Sequence, residues 1–232
     1  MRMTNILVFL LFIFNVSILH SQLNGVQLRK GTLIISDQKT DISYTFNLNK
    51  IHVSKKPPRV KEKLGSYTIK ERKGKLLRSI DIKQLNNEVH IKSNQGSIFI
   101  RVDKNFDNKR LITVIANDFK QVTIPILREK DEKIRGGGIQ FSEYGSQERE
   151  FVHISQENGI GRGGGSISKW SKLLGVRGEA SATYCPVGFY ETNLGRWFEV
   201  LGNQLHLLAI DADTYNFSLF GDTNQLVLGF EE

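Results

Sequence analysis

The chain has one cysteine, Cys185, and so one thiol that could act as a nucleophile. Paired with His153 or His206, and with Asp211 or Asp213 orienting the ring, it would form the set that activates a thiolate for attack on an acyl carbon. Pro186 follows it, and a helix starting there would lower the thiol pKa. The local sequence opposes that chemistry. Ala182-Thr-Tyr184 leads into Cys185 as the end of a strand, and His206 alternates within an apolar run, so a buried structural cysteine is expected. A second constellation consists of Glu179, Glu191, Glu199, Asp211 and Asp213 near Trp170, Trp197, Tyr184 and Tyr190. Carboxylate pairs beside aromatic platforms suit sugar hydrolysis, and the aromatics alone suit sugar binding. Turn positions explain Asp211 and Asp213 without chemistry.

Cofactor and metal patterns fail on spacing. Asp211-Ala-Asp-Thr-Tyr-Asn216 lacks the central glycine and distal glutamate of a calcium loop. The histidines show no zinc spacing. Gly161-Arg-Gly-Gly-Gly-Ser166 resembles a phosphate loop in composition, yet no lysine stands where one would reach a phosphate. It reads as a hinge or tight turn, as does Arg135-Gly-Gly-Gly-Ile139. No cofactor is expected, and no enzymatic activity is assigned.

The strongest signal is basic. Lys55, Lys56, Arg59, Lys61, Lys63, Lys70, Arg72, Lys73, Lys75 and Arg78 fall within one short stretch, opposed only by Glu62 and Glu71. Such density creates a positive potential that attracts phosphates, sulfates or anionic lipids. Lysine-rich stretches also keep β edges soluble and unpaired. Pro57-Pro58 keeps the first cluster extended as a protruding loop. The stretch lacks the interleaved aromatics on which bases stack, so nucleic acid is not an expected partner. The candidate binding residues are therefore Lys55, Lys56, Arg59, Lys61, Lys63, Arg72, Lys73 and Lys75, with Trp170 and Trp197 as exposed aromatic anchors.

The elements that must position these residues read as strands. Thr32–Ser36, Tyr44–Leu48, Ser66–Ile69, Glu88–Lys92, Ser97–Val102, Leu111–Ile115 and Gln121–Ile126 are short, β-branched and bounded by turn residues. Tyr44, Phe46 and Leu48 alternate with Thr45 and Asn47, the period of a half-buried strand. Ser93-Asn-Gln-Gly96 joins two of these runs as a hairpin turn. From Trp197 onward the chain reads as a meander turning at Gly202-Asn203, at Asp211–Thr214 and at Gly221–Asn224. One short helix is expected after Ser166 or Ser168, through Lys169–Leu174 to Gly175.

Charge divides the chain. Residues 22–133 carry 24 Lys and Arg against 12 Asp and Glu, whereas residues 134–232 carry 7 against 12. Aromatics divide the other way, six against thirteen. Arg128–Gly138, a charged run ending in three glycines, reads as an exposed, flexible join between two domains, the alternative being a long loop within one sheet system. The expected architecture is all-β and mainly antiparallel. It comprises a basic sandwich-like domain at 22–133 and an acidic, aromatic-rich β domain at 134–232.

Residues 1–21 read as a signal peptide, the alternative being an uncleaved N-terminal anchor: Arg2, the apolar run Ile6–Leu19, then His20-Ser21-Gln22. The run is shorter than the about 20 apolar residues a spanning helix needs, and no later segment spans. A single cysteine excludes a disulfide framework. The expectation is an exported accessory or binding protein, periplasmic, outer-surface associated or secreted. Its partner is an envelope or extracellular protein, or an anionic surface glycan or lipid. The alternatives are a hydrolase acting on envelope or extracellular polymer, and a carbohydrate-binding module.

Overall fold

A computed structural model describes residues 25–37, 42–63, 66–78, 81–85, 87–104, 110–140, 149–153, 183–201 and 205–230. The expected signal peptide, the second glycine loop and the expected short helix lie outside the described residues. Among those described, the one helical turn is a 3-10 turn at Leu48–Lys50, and no helix is long and apolar enough to cross a membrane.

The chain is all-β and antiparallel, as the alternation of apolar residues predicts. In order, the strands are β1 (Val26–Arg29), β2 (Thr32–Ser36), β3 (Ser43–Asn47), β4 (His52–Ser54), β5 (Arg59–Lys63), β6 (Ser66–Lys70), β7 (Lys75–Leu76) and β8 (Asp81–Leu85). There follow β9 (Glu88–Lys92), β10 (Ser97–Lys104), β11 (Arg110–Ile115), β12 (Gln121–Leu127) and β13 (Ile134–Gln140). The last six are β14 (Arg149–His153), β15 (Thr183–Thr192), β16 (Arg196–Val200), β17 (His206–Ile210), β18 (Thr214–Phe220) and β19 (Gln225–Phe230).

Two large sheets result. The first runs β1-β2-β3-β12-β18-β17-β14, with β4 also on β12 and β7 on β4. The second runs β13-β15-β16-β19-β11-β10-β9-β8, and β5-β6 form a separate two-stranded hairpin. The expected division at 133/134 does not separate the sheets. In the first sheet β12 pairs with β18 along seven residues, from Gln121↔Phe220 to Leu127↔Thr214. In the second, β11 pairs with β19 from Leu111↔Gly229 to Ile115↔Gln225. Each half thus supplies central strands to both sheets. The charge contrast follows outward side chains, whereas pairing is made by backbone groups indifferent to side-chain charge.

Two further expectations are corrected. The terminal segment is a meander at one turn only: β17 and β18 form a hairpin, while β16 and β19 belong to the opposite sheet. The join at 128–138 is ordered. Arg128 donates from Nε and Nη2 to the Glu132 carbonyl at 2.9 and 2.6 Å, closing a tight turn, and Glu132 is fully buried. The three glycines belong to β13, where the register against β15 shifts on either side of Gly138. Gly136 has φ +119°, and a Cβ there would stand 2.3 Å from the Phe189 carbonyl oxygen, so only glycine lets this bulged edge lie against β15.

The inner faces interdigitate as one core. Leu33, Tyr44, Phe46, Ile124 and Phe217 of the first sheet meet Ile100, Val114, Phe198 and Leu228 of the second. Each such side chain contributes about 1.5–3 kcal/mol on burial. Tyr44 bolts the layers together. Its hydroxyl lies 2.5 Å from the Gly229 carbonyl and 2.8 Å from the Trp197 carbonyl, and accepts the Trp197 N–H at 3.0 Å. Burial pushes this hydroxyl well above the ordinary tyrosine range, although the nearby Arg196 charge pulls the other way. At the same end of the core Arg196 is wholly buried against Glu132. Its Nε donates to Glu132 Oε1 at 2.7 Å, Nη1 to the Ser43 carbonyl at 3.0 Å and Nη2 to the Leu127 carbonyl at 3.1 Å.

Candidate functional site

The basic stretch folds into the walls of a cleft. β4 leads into Lys55 and Lys56. Pro57-Pro58 then turns the chain outward into the β5–β6 hairpin. Glu71–Gly74 brings it back to β7, which pairs with β4 through His52↔Leu76 and Val53↔Lys75. The two arms face each other across a cavity of about 600 Å³ lined by Val53, Ser54, Lys55, Lys56, Arg72, Lys73, Lys75, Asn94, Gln95 and Phe119. Five of these residues are cationic, and no carboxylate is among them.

Each wall is fixed by local chemistry. Ser54 Oγ donates to the Lys56 carbonyl at 3.0 Å and accepts the Lys56 N–H at 3.1 Å, a side-chain turn that holds the end of β4. Lys55 Nζ donates to the Asp118 carbonyl at 2.6 Å and stands 4.9 Å from the centre of the Phe119 ring. Arg72 is tied at its backbone: its N–H donates to Gln121 Oε1 at 3.0 Å, and Gln121 Nε2 donates to its carbonyl at 3.2 Å. Arg72 Nε also donates to the Pro57 carbonyl at 3.0 Å. The floor is apolar, with Val53 and Phe119 buried, and its rim carries the β9–β10 turn. Asp118 Oδ2 accepts the Ser97 N–H at 2.7 Å and so pins that turn to the loop carrying Phe119. Gln95 Oε1 is buried without a partner.

Of the sequence-predicted binding residues, Lys55, Lys56, Arg72, Lys73 and Lys75 come together in the cleft. Arg59 and Lys61 are exposed on the β5–β6 hairpin beside it. Lys63 closes β5, and its side chain lies outside the described residues. So does Trp170. Trp197 is elsewhere, on the outer face of the second sheet. It lies flat over Gly229, where a Cβ would approach the indole to 2.2 Å, and stacks on Phe189 with centroids 5.9 Å apart. Asn94, Gln95, Phe119 and Gln121 complete the cleft without having been predicted. A polar pair in a hairpin turn, and a glutamine in a strand, carry no sign of their neighbours in sequence.

The catalytic alternatives do not gather in the cleft. His206 is buried, and its Nε2 lies 2.9 Å from the Tyr190 hydroxyl, which burial pushes above the ordinary tyrosine range. The side chains of Cys185 and His153 lie outside the described residues. Glu191 pairs with Arg135 at 2.6 Å on the far sheet, and Glu199 lies across from Phe189. Asp211 Oδ2 accepts Asn216 Nδ2 at 2.7 Å and so shapes the β17–β18 turn. Among the described residues no group of His, Cys, Asp and Glu is arranged to hold a metal ion.

No protein-family model matches the chain, and no curated protein matches it in sequence. Solved structures do align with it. A GH31 family sulfoquinovosidase from E. rectale, in complex with an aza-sugar inhibitor, superposes with a TM-score of 0.69 at 15% identity, covering 89% of this chain and 32% of that enzyme. A GH31 dextranase from Flavobacterium johnsoniae, complexed with glucose, covers 89% of this chain and 26% of its own at 12% identity, with a TM-score of 0.39. The chain thus spans about a third of the sulfoquinovosidase's length, and its β-sandwich is similar in fold to part of a glycoside hydrolase.

Proposed function

We propose that this protein is a non-catalytic binding module for an anionic saccharide, exported and accessory to glycan recognition or processing. The observation that carries the reading is the cleft, where five cationic side chains and no carboxylate converge on one cavity of about 600 Å³. Like charges held this close repel, and the energy is recovered when an anion enters. A lysine-rich edge kept only for solubility has no need to close around a cavity. The carboxamides of Asn94 and Gln95 supply the neutral donors and acceptors that sugar hydroxyls require. The likeness in fold to a sulfoquinovosidase supports a saccharide as the carrier of the charge, and makes sulfonated and sulfated sugars the first ligands to test.

Affinity electrophoresis of the full chain through gels holding a sulfated polysaccharide, a polyuronate or a neutral glucan tests the reading. Retardation is expected in the charged gels alone, and should fade as salt rises, because exposed charges are screened over about 8–10 Å at physiological ionic strength. Equal retardation by the neutral glucan, or binding indifferent to salt, would refute it.

A further inference from the structure

Resting on that reading of the cleft, we infer that Arg72 is the residue that selects the ligand's charged group, and that this group is a forked oxyanion on a sugar: a sulfonate, sulfate ester or carboxylate. The five cations are not equivalent. Lys56, Lys73 and Lys75 are exposed on flexible stems, and a lysine ammonium acts as a point charge without preferred direction. Lys55 is committed to the Asp118 carbonyl and the Phe119 ring. Arg72 alone is held at three points. Gln121, only 2% exposed, clasps its backbone N–H and carbonyl, and the Pro57 carbonyl takes its Nε–H. Proline's locked φ stiffens that acceptor.

This arrangement decides which edge of the guanidinium faces a ligand. With Nε engaged by Pro57, the bidentate edge left for recognition is the Nη1–Nη2 pair. Two parallel N–H groups there match two oxygens of one oxyanion. The bond from Nε to Pro57 restricts the guanidinium before the ligand arrives, so less rotamer entropy is lost on binding. Gln121 is thus a positioning residue acting through Arg72, and the lysines supply field rather than geometry.

The test is calorimetric titration of the full chain, wild type and R72K, with a sulfated oligosaccharide, an oligouronate and a neutral oligosaccharide of equal length. Inorganic sulfate or chloride is added at matched ionic strength. R72K keeps the charge and loses the fork. It should weaken binding of the charged sugars about tenfold, while K73A weakens it about two- to threefold. In the wild type, sulfate should compete better than chloride, and in R72K that gap should close, a readout that a general loss of stability would not move. Relative affinity for the sulfated and uronate sugars tells which oxyanion is preferred. R72K binding as tightly as wild type, or keeping the sulfate-over-chloride gap, overturns the inference while leaving a salt-sensitive cleft in place. Failure of every charged sugar to bind the wild type overturns the cleft reading as well.

Discussion

Two arginines at different places in this molecule show how one side chain serves opposite ends. Arg196 sits in the core with no exposed surface. It is surrounded by the rings of Tyr44, Phe198 and Tyr215, and its donors are taken by Glu132 and the carbonyls of Ser43 and Leu127. Arg72 is half-buried at the wall of the cleft, clasped by Gln121 and Pro57 along one side. Giving every nitrogen of a buried guanidinium a protein acceptor makes it architectural. Holding it while leaving one edge for a ligand makes it a reader of anions. The charge is the same in both; the number of donors already committed separates the roles.

The largest effects should come from breaking the buried side of this comparison. R196M or E132Q alone leaves a buried polar partner uncompensated and should cost about 3–5 kcal/mol in chemical denaturation. The double variant R196M/E132L should recover much of that loss. Non-recovery would show that the backbone carbonyls of Ser43 and Leu127, rather than the ion pair, dominate.

Y44F should cost about 1–3 kcal/mol by stranding the Trp197 N–H and the carbonyls its hydroxyl serves. The same buried hydroxyls set an alkaline limit. Tyr44, Tyr190 and Tyr215 are all raised above their ordinary value of 10.0, burial being the largest cause in each. A raised acid favours the folded state while protonated. Their contribution is therefore fully present below that ordinary value and is lost as pH rises beyond it. Thermal melts at increasing alkaline pH should show this decline, and Y44F should flatten it.

Substitutions on the cleft side should leave the fold nearly untouched. K56A, K73A and K75A should each change stability by less than about 0.5 kcal/mol, as exposed surface changes do. Combining them should abolish retardation by charged polysaccharide. A large stability loss from the triple variant would mean that these residues hold the β4–β7 pairing together instead of binding.

A further small effect lies on the second sheet's edge region. There Glu88 accepts His90 Nε2 at 2.7 Å and Arg101 Nε at 2.6 Å, and both hold its carboxyl below the ordinary value. Its contribution is present above the unfolded pKa and lost as pH falls through the folded one. E88Q should cost under about 1 kcal/mol at neutral pH. The difference from wild type should vanish in acid.

How far the sequence carried this picture depends on the range of each interaction. Strands were legible because Tyr44, Phe46 and Leu48 advertise their phase over a few residues. The pairing of Leu111–Ile115 with Gln225–Gly229 was not, because backbone pairing over such a separation leaves no local mark. Glu132 was hidden within Arg128–Arg135, where every charged residue looks solvated and nothing says that one of them meets Arg196. The basic walls were legible as a cluster. Their floor and clasp, Phe119 and Gln121, come from a loop and strand that show their role only once β4 and β7 lie beside them.

Lysine acetylation of the full chain, read by mass spectrometry with and without a sulfated oligosaccharide, shows where on the surface the sugar sits. Protection concentrated at Lys56, Lys73 and Lys75, with Lys83, Lys92 and Lys130 still reactive, is the predicted result. Uniform protection over all six, or none at the cleft, would contradict the assignment of this cavity as the place where the anionic sugar sits.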